Sequence, residues 1–62
     1  MNRLAYYRQK ADMTQTELAK ETGIDISQIS RVEKDVSDFP GKRWKAIAKT
    51  LGCTVDELLE SN

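Results

Sequence analysis

Histidine is absent from this 62-residue chain, and cysteine occurs once, at Cys53. A single thiol excludes an intramolecular disulfide framework, and a structural zinc site lacks its ligands. An unpaired Cys suits a reducing, intracellular compartment. No apolar run is long enough for a signal peptide or a membrane span, so the chain reads as cytoplasmic, with no membrane partner. There is no phosphate-cradling Gly loop and no nucleophile beside a base in sequence context. Carboxylate neighbours such as Asp56 and Glu57 are accounted for by helix capping and the N-terminal dipole. The reading is therefore no enzyme, no metal, no cofactor and no small-molecule ligand. Internal repeats, low-complexity tracts and linkers are missing too, so residues 1–62 read as one small domain. A chain of this size buries only about 60% of its unfolded surface. The 39% hydrophobic content is enough for a compact helical core with little to spare.

Net charge is absent as well: ten bases balance ten acids. That balance counts against a nucleic-acid partner, but the distribution points the other way. Arg3, Arg8 and Lys10 open the chain without an acid, and Lys42, Arg43, Lys45 and Lys49 cluster without one. After residue 50 only Asp56, Glu57 and Glu60 are charged. A neutral total can hide a basic side and an acidic side. The alternative is a set of ordinary solvated helix faces.

What is present is helical spacing, strongest from Thr14 to Glu33. Thr14 is followed three residues later by Glu17, and Asp25 by Gln28. Each pair has the form of a capping box, in which the cap side chain bonds a free N–H of the first turn and the later side chain reaches back. Gly23 between them suits a left-handed helix end. The spacing predicts helices over 14–22 and 25–34 joined by a tight turn, a helix-turn-helix unit over 14–33. Leu18, Ala19 and Ile24 face inward. Placing Ile29 and Val32 in the core turns Ser27, Ser30 and Arg31 outward, with Ile26 and Gln28 on the flanks. Ile26 has no evident core role.

The remaining chain supports that unit. Asn2 caps a first helix through about Ala11, with Leu4, Ala5, Tyr7, Arg8 and Ala11 on one stripe and Tyr6 off it. Asp12 takes the left-handed position after this helix, and Met13 packs inward. Phe39 folds back onto the core. A fourth helix begins at Pro40 or Gly41, with Pro suited to a first turn, and buries Trp44, Ile47, Ala48 and Leu51 before Gly52 ends it. Thr54 and Glu57 make a third capping box, leading a short last helix with Val55, Leu58 and Leu59 as its apolar residues. Cys53 packs near Leu51 and Val55. Ser61 and Asn62 should fray. The expected fold is all-α, a compact five-helix domain.

The segments M-T-Q-T-E-L-A-K-E-T-G-I (13–24), I-S-Q-I-S-R-V-E (26–33) and A-I-A-K-T-L-G-C-T-V-D-E-L-L (46–59) resemble the lambda-repressor-like helix-turn-helix family. That family includes the phage Cro proteins and bacterial regulators of the xenobiotic-response-element type. The resemblance covers nearly the whole chain, with the supporting helices in order. It implies a bacterial or phage-encoded transcriptional regulator that lays its third helix in the DNA major groove, usually as a dimer. Carried over by position, Ile26, Ser27 and Arg31 fall where the family contacts base edges, with Gln28 beside them. Gln15 falls where the family bonds a phosphate, at a helix start that favours an anion. Lys34, Lys42 and Arg43 would flank the third helix; a phosphate contact and a plain surface role are both open for each. Arg8 and Glu33 match an ion pair between the first and third helices, a structural role consistent with the stripe position of Arg8. Asp12 and Asp35 stand where the family often has Gly, and Gly41 replaces a frequent apolar residue.

The function expected is a sequence-specific double-stranded DNA-binding regulator, a repressor by occupancy, working as a homodimer on a two-fold-related operator. Residues around Val55 to Leu59 would supply the dimer surface, unless they only close the core. The alternative is a protein-interaction module, of antitoxin or anti-repressor type, that retains the fold without specific DNA binding. The zero net charge and the extra aspartates motivate it.

Overall fold

A computed structural model describes residues 2–60 as five helices in the order α1 (Leu4–Lys10), α2 (Gln15–Thr22), α3 (Ile26–Glu33), α4 (Gly41–Leu51) and α5 (Val55–Leu59). Among the described residues there is no strand. The expected fraying of Ser61 and Asn62 lies outside the described residues. The helices close a ring: α1 packs on α3, α3 on α2, α2 on α4, α4 on α5 and α5 back on α1. Each contributes at least one fully buried side chain to the centre: Leu4, Leu18, Ile29, Ile47 and Leu58. Val32, one turn after Ile29, is fully buried too. Such short helices would be marginal alone, and packing of these apolar faces is what holds them.

Local signals explain most of the boundaries. Thr14 and Glu17 form the reciprocal box, with Glu17 N donating to Thr14 Oγ1 at 3.1 Å and Thr14 N to Glu17 Oε1 at 2.9 Å. Thr54 and Glu57 repeat it. Gly23 and Gly52 end α2 and α4 with φ of 73° and 72°, where a side chain would be strained. Thr22 ties the turn after α2, its hydroxyl donating to Leu18 O at 2.7 Å and accepting from Ile24 N at 3.3 Å. Asn2 closes the other end of the ring. Its Oδ1 accepts from Leu4 N, while its Nδ2 donates to Val32 O and Asp35 Oδ1. One side chain therefore satisfies orphan groups at the start of α1 and the end of α3. Trp44 fills the core, and its indole N–H donates to Asp38 Oδ1 at 3.1 Å.

Two details differ from the sequence reading, at the end of α1 and at the start of α3. Helix α1 stops at Lys10, and Ala11 is exposed, because the chain turns away at Asp12 before another helical turn forms. Of the two starts expected for α4, Gly41 is the first helical residue, and Pro40 caps it from an extended conformation. Asp25 and Gln28 do not form a box: Asp25 caps α3 through Ser27 N at 3.0 Å, and Gln28 Oε1 bonds Arg43 instead. Leu59 lies 47% exposed, because five residues of α5 make little more than one turn and Leu58 takes its inner face.

Asp12 and Asp35 both adopt the left-handed conformation, with φ of 60°. Asp35 gains the bond from Asn2; the side chain of Asp12 is exposed. Asp12→Gly is therefore expected to stabilise the fold by up to about 1 kcal/mol, relieving αL strain beyond the entropy that Gly adds to the unfolded chain. A thermal melt should show the midpoint rising by a few degrees; an unchanged or lower midpoint would mean the strain is negligible.

The caps also set a pH dependence. Glu17 is held below the usual carboxylate range first by the Thr14 N–H, Glu57 first by the Thr54 N–H, and Asp25 first by the Ser27 N–H. A carboxylate depressed in the folded state adds stability above its unfolded value and loses it as pH falls through the folded one. Melts between pH 7 and 3 are expected to show midpoints falling below about pH 4.5. Glu17→Gln should flatten part of that fall; an identical acid profile in the variant would contradict the assignment.

Candidate functional site

Helix α3 carries two chemically opposite faces. Ile29 and Val32 are fully buried, while Ile26, Ser27 and Arg31 are exposed, Ile26 at 41%. At 100° per residue, Ser27 and Arg31 fall opposite the buried Ile29 and Val32, and Ile26 lies on the flank. Ser30, expected to face outward, is half-buried.

A single carboxylate locks this helix to its scaffold. Arg8 Nε donates to Glu33 Oε2 at 2.7 Å and Arg8 Nη2 to Oε1 at 3.2 Å, while Gln15 Nε2 donates to Oε1 at 2.9 Å. Arg8 Nη1 donates to Met13 O at 2.8 Å. Helices α1, α2 and α3 thus meet at Glu33. The two charged side chains are 12% and 8% exposed, so water screens the pair little, and the extra bonds satisfy atoms that burial would otherwise leave bare. Among the described residues no buried side-chain nitrogen or oxygen lacks a partner.

The outward groups are ordered by local bonds. Ser27 Oγ donates to Asp25 Oδ1 at 2.9 Å. Arg31 Nε donates to Ser27 O at 3.4 Å, which lays the guanidinium of this exposed side chain back along the helix. Gln28, half-buried, accepts from Arg43 Nη1 through Oε1, which ties α3 to the first turn of α4. Because guanidinium has only donors, this contact also assigns the amide oxygen. The amide nitrogen of Gln15 is assigned likewise by its bond to a carboxylate, and one of its two protons remains uncommitted. Lys34 caps the end of α3, and Lys42 lies exposed beside Arg43 in the first turn of α4.

The structure thus brings Gln28 and Arg43 together, and Arg8, Gln15 and Glu33 together; Ile26, Ser27 and Arg31 share one exposed surface. Sequence reasoning missed the Gln15–Glu33 and Gln28–Arg43 bonds. Both join residues more than a dozen positions apart, and no local pattern announces them. Elsewhere, burial and then the Glu57 charge push the Cys53 thiol up, away from the thiolate that redox chemistry needs. Among the described residues no group of three His, Cys, Asp or Glu side chains could hold a metal ion, and no helix is long and apolar enough to cross a membrane.

A family model described as helix-turn-helix matches residues 4–58, from the first residue of α1 to Leu58 in α5. No curated protein matches the chain.

Proposed function

This chain belongs to the lambda-repressor/Cro-like helix-turn-helix family, a family of DNA-binding regulators, and on that premise we propose that it is a sequence-specific regulator of transcription that acts as one domain by laying α3 in the major groove. The observation that carries the reading is the two-faced α3. Its inner side is fully buried and clamped through Glu33, and its outer side offers Ile26, Ser27 and Arg31 on a helix that fits the groove. Arg31 supplies two donors for guanine O6 and N7. Ile26 lies on a thymine methyl, and Ser27 and Gln28 reach base edges between them. Gln15 gives its remaining amide proton to a phosphate at the start of α2. Arg43, Lys42 and Lys34 neutralise further phosphates.

Repression by occupancy and a two-fold dimer complete the proposal. Leu59, 47% exposed, and Val36, 71% exposed, line one open cleft beside Trp44. Apolar side chains left bare on so small a domain support a partner surface at the α5 end, where a second copy would set the half-site spacing. Selection from randomised duplexes tests the whole reading. Enrichment of an inverted repeat, bound less tightly as salt rises, is expected. Failure to bind any duplex above background at low salt would overturn it in favour of the protein-interaction module, which the zero net charge and the two left-handed aspartates favour.

A further inference from the structure

The exposed end of α3 has a fixed hydrogen-bond polarity. Asp25 Oδ1 accepts from both the backbone N–H and the hydroxyl of Ser27, at 3.0 and 2.9 Å. An ionised carboxylate carries no proton, so the one proton between Asp25 and Ser27 is the hydroxyl's own. Ser27 has no other proton on its side chain. What its Oγ turns to the solvent is a pair of acceptor sites, and the neighbouring carboxylate adds more acceptors. One turn along, Arg31 carries only donors. The surface is therefore divided into an accepting end and a donating end.

We propose that Asp25 makes Ser27 a specificity-determining acceptor, so that the chain selects an exocyclic amino group, adenine N6 or cytosine N4, at the base facing Ser27, next to an acceptor edge of guanine facing Arg31. The inference rests on the DNA-binding reading above and deepens it. In the major groove the amino groups of adenine and cytosine are the donors, while guanine N7 and O6 and thymine O4 are acceptors. A serine free to rotate accepts or donates and discriminates poorly. One whose proton is held by a carboxylate matches only a donor. Guanine O6 or thymine O4 in its place would face Ser27 Oγ and the Asp25 carboxylate with no proton between them. Asp25 is thus a positioning residue: it acts through Ser27.

The test uses the full chain and a duplex enriched by it from randomised sequence. Each adenine is replaced in turn by purine, each cytosine by 2-pyrimidinone, both lacking the amino group, and each guanine by 7-deazaguanine, which lacks an acceptor. The amino-deleted analogues also weaken base pairing, so affinities are compared with Ser27→Ala and Arg31→Ala in double cycles. One amino deletion is expected to cost wild-type binding roughly ten-fold and to cost Ser27→Ala almost nothing. Loss of the guanine acceptor should couple to Arg31 instead. Asp25→Gly removes the acceptor and frees the serine proton, and glycine is tolerated at a helix cap, so its amino-group requirement should relax while its melting curve stays close to wild type. Coupling of Ser27 to 7-deazaguanine, coupling to no amino group, or an unchanged requirement in Asp25→Gly would each overturn the proposal with DNA binding intact. Absence of any enriched duplex would overturn it together with the reading it rests on.

Discussion

Glu33→Ala is expected to cost about 3 kcal/mol or more of folding stability, the largest effect of any single polar substitution in this chain. The carboxylate accepts two bonds from Arg8 and one from Gln15. Removing it leaves a guanidinium 12% exposed with no counter-charge. The total stability of a domain this size is on the order of 3–9 kcal/mol, so the variant should melt more than about 10 °C below wild type. Glu33→Gln keeps an acceptor oxygen and should lose clearly less. The double replacement Arg8→Met with Glu33→Leu should regain much of the loss, since removing both charges spares their desolvation. Chemical denaturation of the wild type and the three variants measures each loss. If Glu33→Ala unfolds at the wild-type midpoint, the clamp on α3 is not where the structure puts it.

Arg31→Ala is expected to do the reverse: leave stability within about 0.5 kcal/mol, because the side chain is exposed, and remove about 1–3 kcal/mol of sequence-specific binding. Specific affinity should drop roughly five- to 150-fold while binding to unrelated duplex changes much less. A base contact and a phosphate contact separate by salt dependence. Loss of a phosphate contact lowers the slope of log affinity against log salt by about one; loss of a base contact leaves the slope in place. Arg31→Lys should not rescue binding, since a lysine ammonium lacks the planar fork that meets both guanine acceptors. An equal fall on specific and unrelated duplex, with a reduced slope, would move Arg31 from reading bases to neutralising phosphates.

These two substitutions mark the limits of what a sequence can disclose. The outward position of Arg31 is legible because helical periodicity is local: once Ile29 and Val32 are placed inside, geometry turns Ser27 and Arg31 out. The Thr14–Glu17 and Thr54–Glu57 boxes are legible for the same reason, each closing within one turn. Asp12 at a left-handed helix end follows from the break in pattern before Met13, and the structure places it at φ 60°. Gln28 shows where local reasoning stops. Its spacing from Asp25 fits a capping box, yet Arg43, fifteen residues on, offers a charged donor and takes the amide oxygen. Asn2 shows it too. Its place at the start of α1 is readable, although Arg3 takes the cap position and Asn2 bonds Leu4 N from one residue before it. Its bonds to Val32 and Asp35 exist only once α1 and α3 lie side by side. The Arg8–Glu33 pair was suggested by the stripe position of Arg8 together with the family likeness; the third member, Gln15, needed coordinates. For Leu59 the sequence leaves core closure and an open surface both possible, and the single turn of α5 puts it outside.

The account stands on the outer face of α3 meeting DNA, and amide NMR of the chain titrated with its enriched duplex at low salt probes that face residue by residue. The predicted result is a contiguous set of shifted amides from Ile26 to Lys34, joined by Gln15 at the start of α2 and Lys42 and Arg43 at the start of α4. Shifts confined to other residues, such as Tyr6 and Lys10 of α1, with Ser27 and Arg31 unmoved, would contradict it.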